Sequence, residues 1–224
     1  MITASHEKLL DNLLSLPNAP ILLNEANNRL IEERKKREQF YNDITDSEKI
    51  EFINGEIVIH SPVKKEHNDV SGALFRLMSS YVDLNKLGYV GYEKIMISLS
   101  RNDYEPDLCF FDKSKSEKFK KGQSLFPAPD LVVEVWSKGT AKNDRGVKFN
   151  DYQAHLVLEY WMIDPVNQII EQYRLDKKGE YELILKANNG TIECNAIKGF
   201  KISIESIFDK VKNLEELGKI LKPK

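Results

Sequence analysis

Two carboxylates in this 224-residue chain stand where apolar strands should run uninterrupted, and a lysine follows shortly after the second. Glu134 sits in the middle of residues 129–137, PDLVVEVWS, and Asp107 opens the run Leu108-Cys109-Phe110-Phe111 directly after Glu105-Pro106. An ionised carboxylate among such neighbours is costly unless it is paired, metal-bound or open to a cleft. A salt bridge inside the fold is the structural alternative to a chemical role. Lys148 follows at the end of Asp144-Arg145-Gly146-Val147-Lys148. Two acids on neighbouring strands with a lysine nearby form a set suited to metal-assisted phosphodiester hydrolysis. The acids hold a hard cation such as Mg²⁺ or Mn²⁺ through oxygen. The cation polarises the phosphate and lowers the pKa of a bound water. The lysine positions that water or offsets developing charge.

These groups need elements to carry them. The run from Leu131 to Trp136 is too short and too β-branched for a helix and reads as a buried strand. Strand parity sends Leu131, Val133 and Val135 to one face and Val132, Glu134 and Trp136 to the other. Pro106 suits the first residue of the preceding strand, where a missing N–H does least harm. After Asp144 a helix carries Lys148 and Tyr152 on one face. Upstream, residues 50–53 and 56–59 flank Asn54-Gly55 and read as a hairpin; alternation is expected to turn Glu51 and Glu56 to solvent. A helix over 65–85 faces inward with Val70, Leu74, Leu77 and Tyr81. His67 extends that stripe by one turn, either as a hydrogen-bonded packing residue or, at the mouth of the carboxylate site, touching phosphate or a metal-bound water.

The remaining pattern gives one strand over 88–99, a basic loop or short helix over 113–122, a strand over 158–164 stopped by Pro165, shorter strands over 169–175, 181–185 and 200–204, and a terminal helix over 214–221. The N-terminal stretch stands apart. Leu9, Leu10, Leu13, Leu14 and Leu16 make a short amphipathic helix broken at Pro17 and Pro20. A charged helix over 24–43 follows, packed by one edge or serving as a dimerisation arm.

Composition sets limits. Hydrophobic residues at 41% suffice for a full core, and charged residues at 30% keep it hydrated. A formal net charge of −2 is not that of a protein coated in nucleic acid, so any basic surface is local. Lys138, Lys142, Arg145 and Lys148 against Asp144 make such a local excess beside Glu134. Cys109 and Cys194 read as reduced, buried thiols of a cytoplasmic protein. No Cys/His spacing points to zinc. No secretory segment and no run of membrane-spanning length is read in the chain, so no membrane partner is expected.

Taken together, EFINGEIVIHSP, His67, the EPD at 105–107, PDLVVEVWS with Asp144, Lys148 and Tyr152 behind it, and EYWMIDP at 159–165 resemble the Uma2 (DUF820) family over roughly residues 45–205. That family is similar to the PD-(D/E)XK, restriction-endonuclease-like superfamily. The resemblance implies an α/β fold with an αβββαβ core, a mixed central sheet and a divalent-metal site in its cleft, with DNA as substrate. By position Asp107 matches the PD acid and Glu134 the second acid, with the Val135 carbonyl as a third metal ligand and His67 assisting. Two residues beyond Glu134 stands Trp136, not the lysine of a D/E-x-K triplet; in the Uma2-like pattern Lys148 supplies the ammonium from the next helix. The expected organisation is a helical extension over 1–44 that supports a homodimer, an endonuclease-like domain over 45–208 and a C-terminal helix over 209–224. Two other readings compete: a nuclease-like fold that binds nucleic acid or a partner without cutting, and a two-carboxylate glycosidase. The second lacks any aromatic sugar platform near the two acids.

Overall fold

The computed structural model describes residues 4–44, 48–137 and 139–222. Residues 45–47, at the expected start of the endonuclease-like part, and Lys138 of the expected cation cluster lie outside the described residues. Helix α1 (Ala4–Leu14) stops ahead of Pro17. Helix α2 (Ala19–Asp43) starts earlier than the expected position 24, because Pro20 falls in its first turn, where the ring is tolerated and no amide partner is lost. Strands β1 (Ile50–Ile53) and β2 (Glu56–Ile59) pair antiparallel across Asn54-Gly55, both at positive φ as a two-residue hairpin turn of this hand requires. Helix α3 (Lys65–Asn85) covers the range expected for it.

Strands β3 (Gly88–Tyr92) and β4 (Met96–Ser98) replace the single strand expected over 88–99, because Glu93 and Lys94 both turn through positive φ and send β4 into a different sheet. There follow β5 (Asp103–Tyr104), β6 (Leu108–Asp112), α4 (Lys113–Ser116), β7 (Leu125–Phe126) and β8 (Leu131–Val135). Helix α5 (Ala141–Asn143) runs through a π-helical turn (Asp144–Lys148) into α6 (Phe149–Ala154). Then come β9 (Glu159–Asp164), β10 (Ile169–Leu175), β11 (Tyr181–Ala187), β12 (Thr191–Glu193), β13 (Lys201–Ser203), α7 (Glu205–Phe208) and α8 (Lys210–Ile220).

The central sheet is six-stranded, in the order β11-β10-β9-β8-β6-β3. It is mixed: β8 and β9 run parallel, and the other neighbours are antiparallel. A second sheet runs β2-β1-β5-β4-β7. One face of the central sheet packs on α3: Leu131, Val133 and Val135 join Val70, Leu74, Leu77 and Met78. On the other face Val132, Cys109 and Tyr160 meet Ile97 and Leu99 of the β4 segment and Tyr152 of α6. The parity read from the sequence of β8 is therefore the parity of the fold.

Helix α2 covers the outer face of the second sheet. Its Phe40 packs on Ile50, Phe52 and Met96. Beside it, Arg37 grips Asp103 through Nε and Nη2 at 2.6 and 2.7 Å and donates to the Leu99 and Asn102 carbonyls. Because β1 is thus covered on both sides, all four of its residues are buried, Glu51 included.

Candidate active site

Antiparallel pairing of β6 with β8 sets Leu108 opposite Val133 and Cys109 opposite Val132. One residue further along the same register, Asp107 stands across from Glu134. Both side chains follow the parity of Cys109 and Val132, so both emerge on the face toward the second sheet. They line one cavity of about 480 Å³, together with Lys49, His60, His67, Val135, Trp136, Asp144 and Lys148. The two acids predicted from sequence are thus brought together.

Both oxygens of Asp107 have partners. Its Oδ1 accepts from the Lys49 ammonium at 2.8 Å and faces His67 Nε2 at 3.1 Å, while its Oδ2 accepts from the Val135 amide at 2.8 Å. Burial would raise this carboxyl, but Lys49 and His67 outweigh it and hold the group well below the usual range. His67, at the start of α3, therefore touches the site through Asp107. Val135 also meets Asp107, through its amide.

Lys148 sits deeper, 2% exposed. Its amine lies 2.7 Å from Glu51, 3.0 Å from Glu134 and 3.5 Å from Asp144. It is also 5.8 Å from the centre of the Tyr104 ring, which packs on Tyr152. Burial would discharge the ammonium, but Glu134, Glu51 and Asp144 push its pKa well above the ordinary value. Burial raises Glu134 far above the carboxylate range, and Asp144 and Asp107 add repulsion that Lys148 only partly offsets. Asp144 is raised too, chiefly by burial, and its Oδ1 is buried without a hydrogen bond.

Two residues of the site run against the sequence reading or were absent from it. Glu51, expected at the surface, is 0% exposed; its Oε1 pairs with Lys148 and accepts from the Glu105 amide at 3.0 Å, and its Oε2 lies 2.9 Å from His60 Nε2. The correction follows from α2: with both faces of β1 covered, alternation has no solvent side to offer. Glu56 is exposed, as expected. Lys49, one residue before β1, was unmarked in the sequence because a lone lysine in a connection carries no pattern.

The donor chemistry fits a hard divalent cation. Four carboxyl groups, Glu51, Asp107, Glu134 and Asp144, converge on two ammonium groups, those of Lys49 and Lys148. Among the described residues no three His, Cys, Asp or Glu side chains converge as a ready-made metal cage. A pair of carboxylates with the other positions left to water is the arrangement in which Mg²⁺ is usually held.

The chain is similar to several known proteins. The chain shares 29% identity over 158 residues with the uncharacterised protein sll1609 of Synechocystis sp., covering 68% of this chain and 87% of that one. It shares 25% over 163 residues with slr1290 of the same organism, covering 72% and 84%. Its fold matches the crystal structure of a "putative nuclease belonging to DUF820" from Anabaena variabilis with a TM-score of 0.66 at 18% identity, over 80% of this chain and 97% of that one. The mixed sheet flanked by α3 is accordingly a restriction-endonuclease-like core. Residues 37–205 match the model of the Uma2 family, described as "Putative restriction endonuclease", and the chain belongs to that family.

Proposed function

We propose that the protein is a divalent-cation-dependent endonuclease that hydrolyses DNA phosphodiester bonds. The observation that supports this reading is the pairing of Asp107 with Glu134 across β6 and β8 on the floor of an open cavity, with a lysine amine on each at 2.8 and 3.0 Å. Asp107 and Glu134 would hold Mg²⁺ or Mn²⁺, which when bound polarises the phosphate and acidifies water. His67 and the Val135 amide fix the rotamer of Asp107. Lys49, the more exposed of the two lysines, faces the incoming phosphate and offsets charge that develops on it. Lys148 keeps Glu134 in place and neutralises part of the buried negative charge. In the reaction a water oxygen bonds to phosphorus and gives up a proton to solvent, the bond to one ester oxygen breaks, and that oxygen leaves with a proton from solvent.

Nicking of supercoiled plasmid in Mg²⁺ tests the proposal. Asp107→Asn and Glu134→Gln are each expected to lower the rate by about 100-fold or more, and EDTA to abolish it. Cleavage unchanged in both variants would contradict it. One observation favours the non-cutting alternative: the Lys148 amine is committed to three carboxylates. DNA binding that persists in EDTA, with no cleavage of any DNA form, is the outcome that reading requires.

The proposal extends to a homodimer through α1 and α2. Leu9, Leu14, Ile21, Leu23 and Leu30 are exposed along them, and a two-fold-related copy would cover the same patch on both partners. Light scattering at twice the chain mass, falling to one chain mass in Leu23→Lys/Leu30→Lys, is the expected result. The two unpaired, buried thiols suit a reducing compartment, the cytoplasm. Among the described residues no helix is long and apolar enough to cross a membrane.

A further inference from the structure

Trp136 has no task in the hydrolysis described above, yet it lines the same cavity. The floor of that cavity is charged, and exposed apolar residues stand on its rim beside Ser61, Lys64 and Glu66. Ile59 (62% exposed), Val63, Trp136 and Val166 (78% exposed) all line the cavity. A paired duplex presents phosphate and sugar, which proteins meet with Lys, Arg and polar groups. The apolar residues of the rim, Trp136 among them, suit the free face of a base instead, and Lys64 beside them suits its phosphate.

The Trp136 ring is held in place. The backbone amide of Trp136 donates to the Ile163 carbonyl at 3.0 Å, its side chain packs against the core cluster that includes Val132 and Met162, and the Arg145 guanidinium carbon lies 5.7 Å from the ring centre. Arg145 is itself anchored on Glu171 at 2.7 Å. A ring fixed in this way is a preorganised stacking surface, which loses little freedom when a second ring arrives. The cavity volume of about 480 Å³ falls in the range of single small-molecule sites, room for one nucleotide.

We infer that the site takes an unpaired nucleotide, whose base stacks on Trp136 while its phosphodiester reaches Lys49 and the Asp107–Glu134 pair. The inference rests on the phosphodiester substrate proposed above and names its class: DNA with unstacked bases, whether a single strand or a mismatched segment of a duplex, in preference to continuous duplex.

The test is tryptophan fluorescence of the full chain with Ca²⁺ in place of Mg²⁺, so that binding is read apart from turnover. The other tryptophan, Trp161, is fully buried and donates to Glu159, so quenching by a ligand in the cavity reports Trp136. A single-stranded oligothymidine and a duplex with a central bubble are expected to quench; the same strand made of abasic sites and a blunt duplex are not. Trp136→Ala is expected to weaken single-strand binding about tenfold or more, and Trp136→Phe to restore most of it. Val166→Glu, at a position too exposed to matter for folding, is expected to weaken it as well. Equal quenching by abasic strand, tighter binding of blunt duplex, or unchanged binding in both Trp136→Ala and Val166→Glu would overturn the inference. Quenching without cleavage in Mg²⁺ would keep the stacking site and remove the nuclease. Cleavage of plain duplex with unaltered kinetics in Trp136→Ala would do the reverse.

Discussion

Glu51→Gln probes the part of the site that the sequence reading placed at the surface. The folded chain moves this carboxyl from 4.5 to about 2: burial alone would raise it, but Lys148 and His60 together more than reverse that. At 1.36 kcal/mol per pKa unit, the ionised form contributes roughly 3 kcal/mol to stability at neutral pH. The sign follows from the direction. A carboxyl depressed by folding stabilises fully above its unfolded pKa, and that contribution fades as pH falls from about 4.5 toward 2. Glutamine keeps the shape and one acceptor for the Glu105 amide but loses the charge. Urea unfolding of parent and variant should therefore differ by roughly 3 kcal/mol at pH 7, a midpoint shift of roughly 1–1.5 M at an m-value of about 2–3 kcal/mol/M. The gap should narrow steadily between pH 4.5 and pH 2. A gap within about 0.5 kcal/mol, as for an ordinary surface substitution, or one that does not change over that pH range, would refute the buried Glu51–Lys148 pair.

Other substitutions test neighbouring claims. Lys148→Met leaves three buried carboxylates without their shared cation; a loss of about 3–5 kcal/mol is expected by denaturant titration, together with reduced cleavage. Arg37→Ala leaves Asp103, fully buried, without its bidentate partner and should cost a similar 3–5 kcal/mol, with increased proteolysis between α2 and β1. Gly88→Ala would set a Cβ 2.0 Å from the Phe111 carbonyl oxygen, at φ +154°; about 1–3 kcal/mol of destabilisation is expected, read as a lowered thermal midpoint.

The strand at 131–135 was legible because a lone charge in a β-branched run breaks a strong pattern, and parity then assigned its face. The same pattern stands at Ile50-Glu51-Phe52-Ile53, where one acid again interrupts an apolar run. There the alternation rule for a half-buried hairpin was applied instead, and it failed because both faces of β1 are covered: Ile50 and Phe52 pack on Phe40 of α2, while Glu51 and Ile53 turn toward the central sheet and Lys148. The helix of α3 followed from its apolar stripe, and His67 from the extension of that stripe. Lys49 could not be found this way, since its role is set by the approach of one sheet to the other and not by its neighbours in the chain. The π-helical turn at Asp144–Lys148, which aims Lys148 at three acids, likewise leaves the residue types of an ordinary helix in the sequence.

The central claim, that Asp107 and Glu134 form one cation site, is tested most directly by calorimetric titration with Mn²⁺. One binding event per chain is predicted for the parent, absent in both Asp107→Ala and Glu134→Ala. The same heat in parent and variants, or no heat in the parent, would contradict it.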